Sequence, residues 1–135
     1  MRYLLDANSC VDYLRRGQQS HLAARMQTEA VGNLCLCSIV RSELLYGALR
    51  SRDPAGAVRK VDEFCAGFFS FPFDDRAADR CGELRAHLAR LGTPIGPNDM
   101  LIAAIALQHG LTVVTNNVRE FRRVPALPVE DWSQP

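Results

Sequence analysis

The chain has 135 residues, 47% hydrophobic and 23% charged, which suits one compact domain with a real core and is too short for two. Sixteen basic residues against fifteen acidic ones leave a formal charge of +1, so bulk charge does not mark a nucleic-acid binder. All sixteen are arginines except Lys60; arginine's planar fork suits phosphate, but a genome rich in arginine codons gives the same count.

No apolar run of about 18 residues and no basic-then-apolar leader is seen, so a cytoplasmic protein that does not enter a membrane is expected. Cys10, Cys35, Cys37, Cys65 and Cys81 are odd in number and form no C-x-x-C pair, which fits small buried hydrophobes better than zinc ligands or disulfides. His21, His87 and His109 lack metal-ligand spacing and are expected on the surface or at helix caps.

In chain order, the apolar run ending at Asp6 predicts a strand over 2–6. A helix through Val11 and Leu14 follows, opened by Asn8 or Ser9 as N-cap and closed at Gly17. A second helix is predicted from about 20 to 31 and a strand over 33–38. Leu44, Leu45, Ala48 and Leu49 form one face of a helix that stops before Pro54. Val58, Val61, Phe64, Cys65 and Phe68 make the stripe of a helix over 55–68. A strand over 69–73, a helix over 77–91 closed at Gly92, and a turn at Gly96-Pro97-Asn98-Asp99 come next. That turn feeds a helix through Leu101, Ile102, Ile105 and Leu107, capped by Gly110. A strand over 111–115, a helical turn over 118–121 and an edge strand near Val129 complete the pattern. Strands alternating with helices predict an α/β fold with a central parallel sheet covered on both faces, in a single domain spanning 1–135.

Four acids lie where strands or turns meet helices: Asp6 in LLDAN, Glu43 in SELLYGA, Asp99 in GPNDMLIAA and Glu120 in TNNVREF. Each has an ordinary alternative. Asp6 and Asp99 can serve as helix caps, Glu43 as a solvated glutamate and Glu120 as an exposed loop carboxylate. Parallel sheets bind ligands beyond the carboxyl ends of their strands, and acids converging there repel one another unless a cation lies between them. Together the four predict a carboxylate-lined metal site made entirely of oxygen donors.

The islands LLDAN, SIVRSELLYGA, PIGPNDMLIAAIAL and LTVVTNNVREFRRV, in this order over nearly the whole chain, resemble the PIN-domain ribonucleases, and in particular the VapC toxins of bacterial toxin–antitoxin pairs. The resemblance implies an α/β/α sandwich and metal-dependent endonucleolytic cleavage of RNA with Mg²⁺, for which Mn²⁺ can substitute. Matched residue by residue, the acids are Asp6, Glu43, Asp99 and, within N-x-x-E-F, Glu120. Many relatives carry an aspartate at or near Asn116 or Asn117 instead, so the fourth position falls to Glu120 or to an amide of TNN.

Asp6 and Asp99 are expected as direct metal ligands, with Glu43 holding a metal water or acting as general base and Glu120 completing a second ion's shell. Thr115, Asn116 and Asn117 are expected to support that shell by hydrogen bonds, and Asn8 and Asn98 either to do likewise or to cap helices. Arg41, Arg119 and Arg122, with Arg123, would form a positive rim for RNA, for which single-stranded or looped segments, with Tyr46 as a stacking surface, are the expected target. The resemblance also implies a cognate VapB-type antitoxin and a homodimer, with the amphipathic segments 11–31 and 55–68 as candidate contact surfaces.

Three other readings fit less of the pattern. A receiver-like phosphoacceptor needs paired acids after the first strand and a lysine near the last, and Lys60 is the only lysine. A dehalogenase-type phosphatase needs D-x-D, where this chain has Asn8. A catalytically inactive PIN fold serving as a binding module would have no use for the intact acids.

Overall fold

A computed structural model describes residues 2–135. Five short parallel strands form one sheet: β1 (Tyr3–Leu5), β2 (Leu34–Cys37), β3 (Phe69–Phe71), β4 (Thr112–Val114) and β5 (Val129–Glu130), in the order β3-β2-β1-β4-β5. β1, β2 and β4 are buried along their whole length, as strands covered on both faces must be, and this explains their continuous apolar runs. From β1 the chain builds outward through β2 and β3, then crosses back to add β4 and β5 on the other side. The reversal falls between β1 and β4, and a crevice at such a switch point is where open parallel sheets bind ligands.

The helices are α1 (Ala7–Arg16), α2 (His21–Gln27), α3 (Ser38–Leu49), α4 (Pro54–Ala66), α5 (Asp75–Leu91), α6 (Pro97–His109) and α7 (Val118–Phe121). α5 packs on α6 and α3 on α4, flanking the sheet. α6 is buried on nearly every side, with Met100 and Ile102 to Ala106 in the core, as its almost uniformly apolar sequence requires. Gly110 closes it in the left-handed region at φ 64°. None of the described helices is long and apolar enough to cross a membrane.

Several boundaries differ from the sequence expectation. α1 is capped by Asp6, not by Asn8 or Ser9, because β1 runs directly into the helix and leaves no loop between them. α2 stops at Gln27, and a short 3-10 turn at Val31–Asn33 leads into β2. On α3 the buried face is Val40, Leu44 and Ala48, whereas Leu45 is 37% and Leu49 57% exposed. The two leucines sit one position past the buried pair and so turn toward solvent. α4 starts at Pro54, a residue well suited to the first helical turn, with Asp53 as cap. All five cysteines are free, four of them buried, as expected. His21 is exposed, whereas the His109 ring lies against Phe71, with centroids 4.2 Å apart.

Candidate active site

Asp6 stands just beyond β1 at the switch point, and its backbone N–H donates to the Val114 carbonyl of β4 at 3.1 Å. The residue is 3% exposed. Its Oδ1 accepts from the backbone N–H of Ser9 at 2.8 Å, so the cap and the site carboxylate are one group. Ser9 in turn donates its hydroxyl to the Val114 carbonyl at 3.1 Å, tying α1 to β4. Burial pushes the Asp6 carboxyl above the ordinary aspartate range, and the negative charge of Asp131 adds to this; hydrogen bonds from Thr115 and Ser9 oppose it without prevailing.

Asp99 lies in the first turn of α6. Its Oδ2 accepts from the Asn117 side-chain amide at 3.1 Å, and the same amide nitrogen donates to Glu120 Oε2 at 2.6 Å. Glu120 Oε1 accepts from the backbone N–H of Gly96 at 3.1 Å, joining α7 to the turn that precedes α6. The Asn117 backbone N–H is held by Thr115 Oγ1 at 2.8 Å. Burial first, then the neighbouring Glu120, push the Asp99 carboxyl up to about 7, and the charge of Asp6 adds to the shift. Glu120 is held below the glutamate range, chiefly by the Asn117 amide and also by Gly96, Asp99 and Arg123. The pair is therefore asymmetric, with Asp99 the proton-holding member near neutral pH and Glu120 the ionised one.

Glu43 projects from α3, half-buried, and is pushed above the glutamate range by burial and by the charge of Asp6. Its Oε1 is buried with no hydrogen-bond partner among the described residues. Glu43 thus feels the charge of Asp6, and Asp99 that of Asp6 and Glu120, while only Asp99 and Glu120 share a hydrogen-bond partner, Asn117. Among the described residues no three His, Cys, Asp or Glu side chains are gathered into a ready-made metal cage.

The predicted supporting residues divide. Thr115 and Asn117 are built into the site, whereas Asn8, Asn98 and Asn116 are exposed beside it. Arg41 is exposed and meets Asp62 at 3.4 Å. Arg119 and Arg122 are exposed, and Arg123 donates to the Pro94 carbonyl at 2.8 Å, bracing the turn before Asp99. Ser9, read from the sequence only as a possible helix cap, Gly96, read only as part of a turn, and Asp131 were not predicted as site residues. Ser9 could have been found from its place three residues after Asp6, the spacing of a cap bond. Gly96 acts through its backbone, and Asp131 reaches Asp6 only through the order of strands, so neither carries a sequence signal.

The profile of the PIN domain family matches residues 3–127. A tRNA(fMet)-specific endonuclease VapC of Salmonella typhimurium is 39% identical over 132 residues, covering 98% of each chain. The chain is a PIN-domain protein of the VapC family. A ribonuclease VapC2 of Haemophilus influenzae is 35% identical with the same coverage. Among solved structures, this PIN domain superposes on a chain of DNA-bound VapBC from Salmonella typhimurium with a TM-score of 0.91, at 39% identity over 98% of both chains. A chain of VapBC2 from Rickettsia felis bound to a promoter fragment gives a TM-score of 0.90 at 34% identity, over 98% of this chain and 99% of that one. The α/β architecture read from the sequence is therefore that of the VapC PIN domain.

Proposed function

We propose that the protein is a metal-dependent endoribonuclease and the toxin of a toxin–antitoxin pair. The observation that supports this reading is the Asp99–Asn117–Glu120 unit together with the buried Asp6 at the β1–β4 switch point, with the carboxyls of Asp6, Glu43 and Asp99 all pushed above their ordinary values. Crowding of this kind costs folding free energy and is typical of a site that awaits a cation or moves protons. It occurs in a chain whose relatives are named ribonucleases and endonucleases.

The donor set fits a hard divalent ion. Every donor is oxygen, and the buried Glu43 Oε1 is an acceptor with no hydrogen-bond partner among the described residues. Mg²⁺ keeps several waters and takes one or two protein carboxylates, so a preformed cage is not required. Asp6 and Asp99 would hold Mg²⁺, or Mn²⁺ in its place, with Glu43 and Glu120 outside them and Asn117 fixing the latter two-sided contact. When bound, such an ion acidifies water and neutralises developing charge on phosphate. Glu43 Oε1 is suited to take the proton of the attacking water, since a raised carboxyl in a half-buried setting is a better base than an exposed one. Arg119 and Arg122 flank Glu120 in sequence and are free to meet the RNA backbone.

The solved relatives described as VapBC support a VapB-type antitoxin as partner. For a homodimer or an antitoxin contact, the apolar surface to consider is Leu45, Tyr46 and Leu49 on α3, all exposed. The segments 11–31 and 55–68 also offer apolar surface, with Val31 69% exposed and Val11, Leu14, Val58, Phe64 and Phe68 partly exposed.

The deciding experiment incubates the purified protein with single-stranded and stem-loop RNA. Cleavage is expected with Mg²⁺ or Mn²⁺, is abolished by chelator, and falls at least about 100-fold in Asp99→Asn. Chelator-resistant cleavage, or a fully active Asp99→Asn, would overturn the reading.

A further inference from the structure

A cleft of about 230 Å³ opens beside Asp6, and the acids do not account for it. One wall is the polar face of α1, where Asn8, Asp12 and Arg16 stand at four-residue spacing, with Ser9 beside Asn8. The opposite wall is Asn116 together with Ser133 and Gln134 of the C-terminal tail, and Leu22 is its one aliphatic lining residue. Asp12 and Arg16 pair at 2.9 Å along the α1 wall.

We propose that this cleft receives one unpaired nucleobase of RNA, next to the phosphate held at the acids. The proposal rests on the ribonuclease reading and names a specificity site for it. Three observations support it. First, the position: Ser9 donates its backbone N–H to Asp6 and lines the cleft, and Asn116 lies between Thr115 and Asn117, so each wall carries a residue bonded to the acidic centre or adjoining its supports. Second, the chemistry: the Asn117 carboxamide is spent on Asp99 and Glu120, but those of Asn8, Asn116 and Gln134 stand exposed on one opening. A carboxamide carries a donor and an acceptor side by side, the pairing that base edges present. Third, the size and polarity: the volume falls below the roughly 300 Å³ of a drug-sized pocket, enough for one ring system. A docking amphipathic helix would need an apolar groove, which a wall of amides and charges does not offer.

The tail reaches the cleft because it is anchored. Trp132 is 4% exposed, its ring 4.8 Å from Tyr3, with the Arg25 guanidinium 4.5 Å above it. Ser133 is held by Asp131, whose Oδ1 accepts from the Ser133 N–H at 2.9 Å and from its hydroxyl at 2.6 Å. The cleft is thus assembled from α1, Leu22 of α2, the segment after β4 and the C-terminal tail, four parts brought together by the tertiary fold.

The test titrates the full chain, in chelator, with each of the four nucleoside 5′-monophosphates and follows side-chain amide resonances by NMR. At least one nucleotide should shift the Asn8, Asn116 and Gln134 amides together, and Asn116→Leu should weaken that binding about tenfold. With metal restored, Asn116→Leu and Gln134→Leu should flatten the base preference beside the cut. If no nucleotide shifts these amides up to millimolar concentration, or if the shifts fall elsewhere, the proposal is overturned. The same holds if only a peptide from the antitoxin moves them. Nucleotide binding in the cleft without any RNA cleavage would instead sustain the base site and remove the ribonuclease reading.

Discussion

Asp99 and Glu120 are joined by a single amide group: Asn117 Nδ2 lies 3.1 Å from Asp99 Oδ2 and 2.6 Å from Glu120 Oε2. Gly96 holds the other oxygen of Glu120, so the fourth acid is fixed from two sides while Asp99 keeps its Oδ1 outside these contacts. The amide and the fourth carboxylate, which compete for one role in the sequence pattern, form one unit in the structure.

That unit predicts how its members differ. Glu120→Gln retains an acceptor for Gly96 but loses its charge, so the Mg²⁺ concentration for half-maximal cleavage should rise about tenfold with little change in the saturated rate. Asn117→Ala frees Asp99 and Glu120 together and should raise the metal requirement and lower the saturated rate. Metal titrations of cleavage check both. A silent Glu120→Gln beside a dead Asn117→Ala would assign the role to the amide.

Asp99→Asn should stabilise the metal-free protein while removing activity. The Asp99 carboxyl stands at about 7, so at higher pH the native state carries a charge it disfavours. Removing that charge should raise the melting temperature in chelator at about pH 8 by a few degrees. The gain should shrink as the pH falls and vanish only at about pH 4 and below, where Asp99 is protonated in the folded and the unfolded chain alike. A lowered melting temperature at both pH values would show that the charge contributes to folding.

The same shifts set the pH dependence of the wild type. Asp6, Glu43 and Asp99 are all raised, so between about pH 4 and 7 the native state binds more protons than the unfolded chain. Stability in chelator should therefore decline as pH rises through this window, with Glu120, held low, opposing the trend only at its acid end. Mg²⁺ binds the ionised carboxylates and should reverse the slope by stabilising the protein increasingly toward pH 8. Thermal melts with chelator and with Mg²⁺ test this, and identical profiles would contradict it.

Arg119 and Arg122 are exposed, so their loss should not unfold the protein. The double replacement by glutamine should change stability by less than about 0.5 kcal/mol. It should weaken binding of single-stranded RNA and reduce the salt slope by about 0.7 per phosphate contact removed. An unchanged slope would place the RNA path elsewhere.

Trp132 anchors the chain end, and its indole N–H donates to Glu130 Oε1 at 3.0 Å. Trp132→Ala should cost about 3–5 kcal/mol, seen as a lower urea midpoint at unchanged slope. A loss below about 1 kcal/mol would mean that the tail is not packed in solution.

The amino-acid sequence by itself determined what local physics can encode. Continuous apolar runs specify β1, β2 and β4 as strands buried on both faces, and the uniformly apolar MLIAAIAL makes α6 a central helix. Glycines and caps mark most helix ends to within a few residues, and alternation of strands with helices implies the parallel sheet. The acids were visible as residues at strand–helix junctions, each with an ordinary alternative. Tertiary structure decided the rest. The order β3-β2-β1-β4-β5 sets Asp6 beside Val114 across a separation that no periodicity encodes, and Asp6 proves to be both helix cap and site acid. It also brings the 131–134 tail to α1, places Gly96 against Glu120, and turns Leu45 and Leu49 outward although their spacing matches the core face. Periodicity reports which residues avoid water along one element, but which elements meet is decided by the packing of the whole chain, where each contact depends on the others.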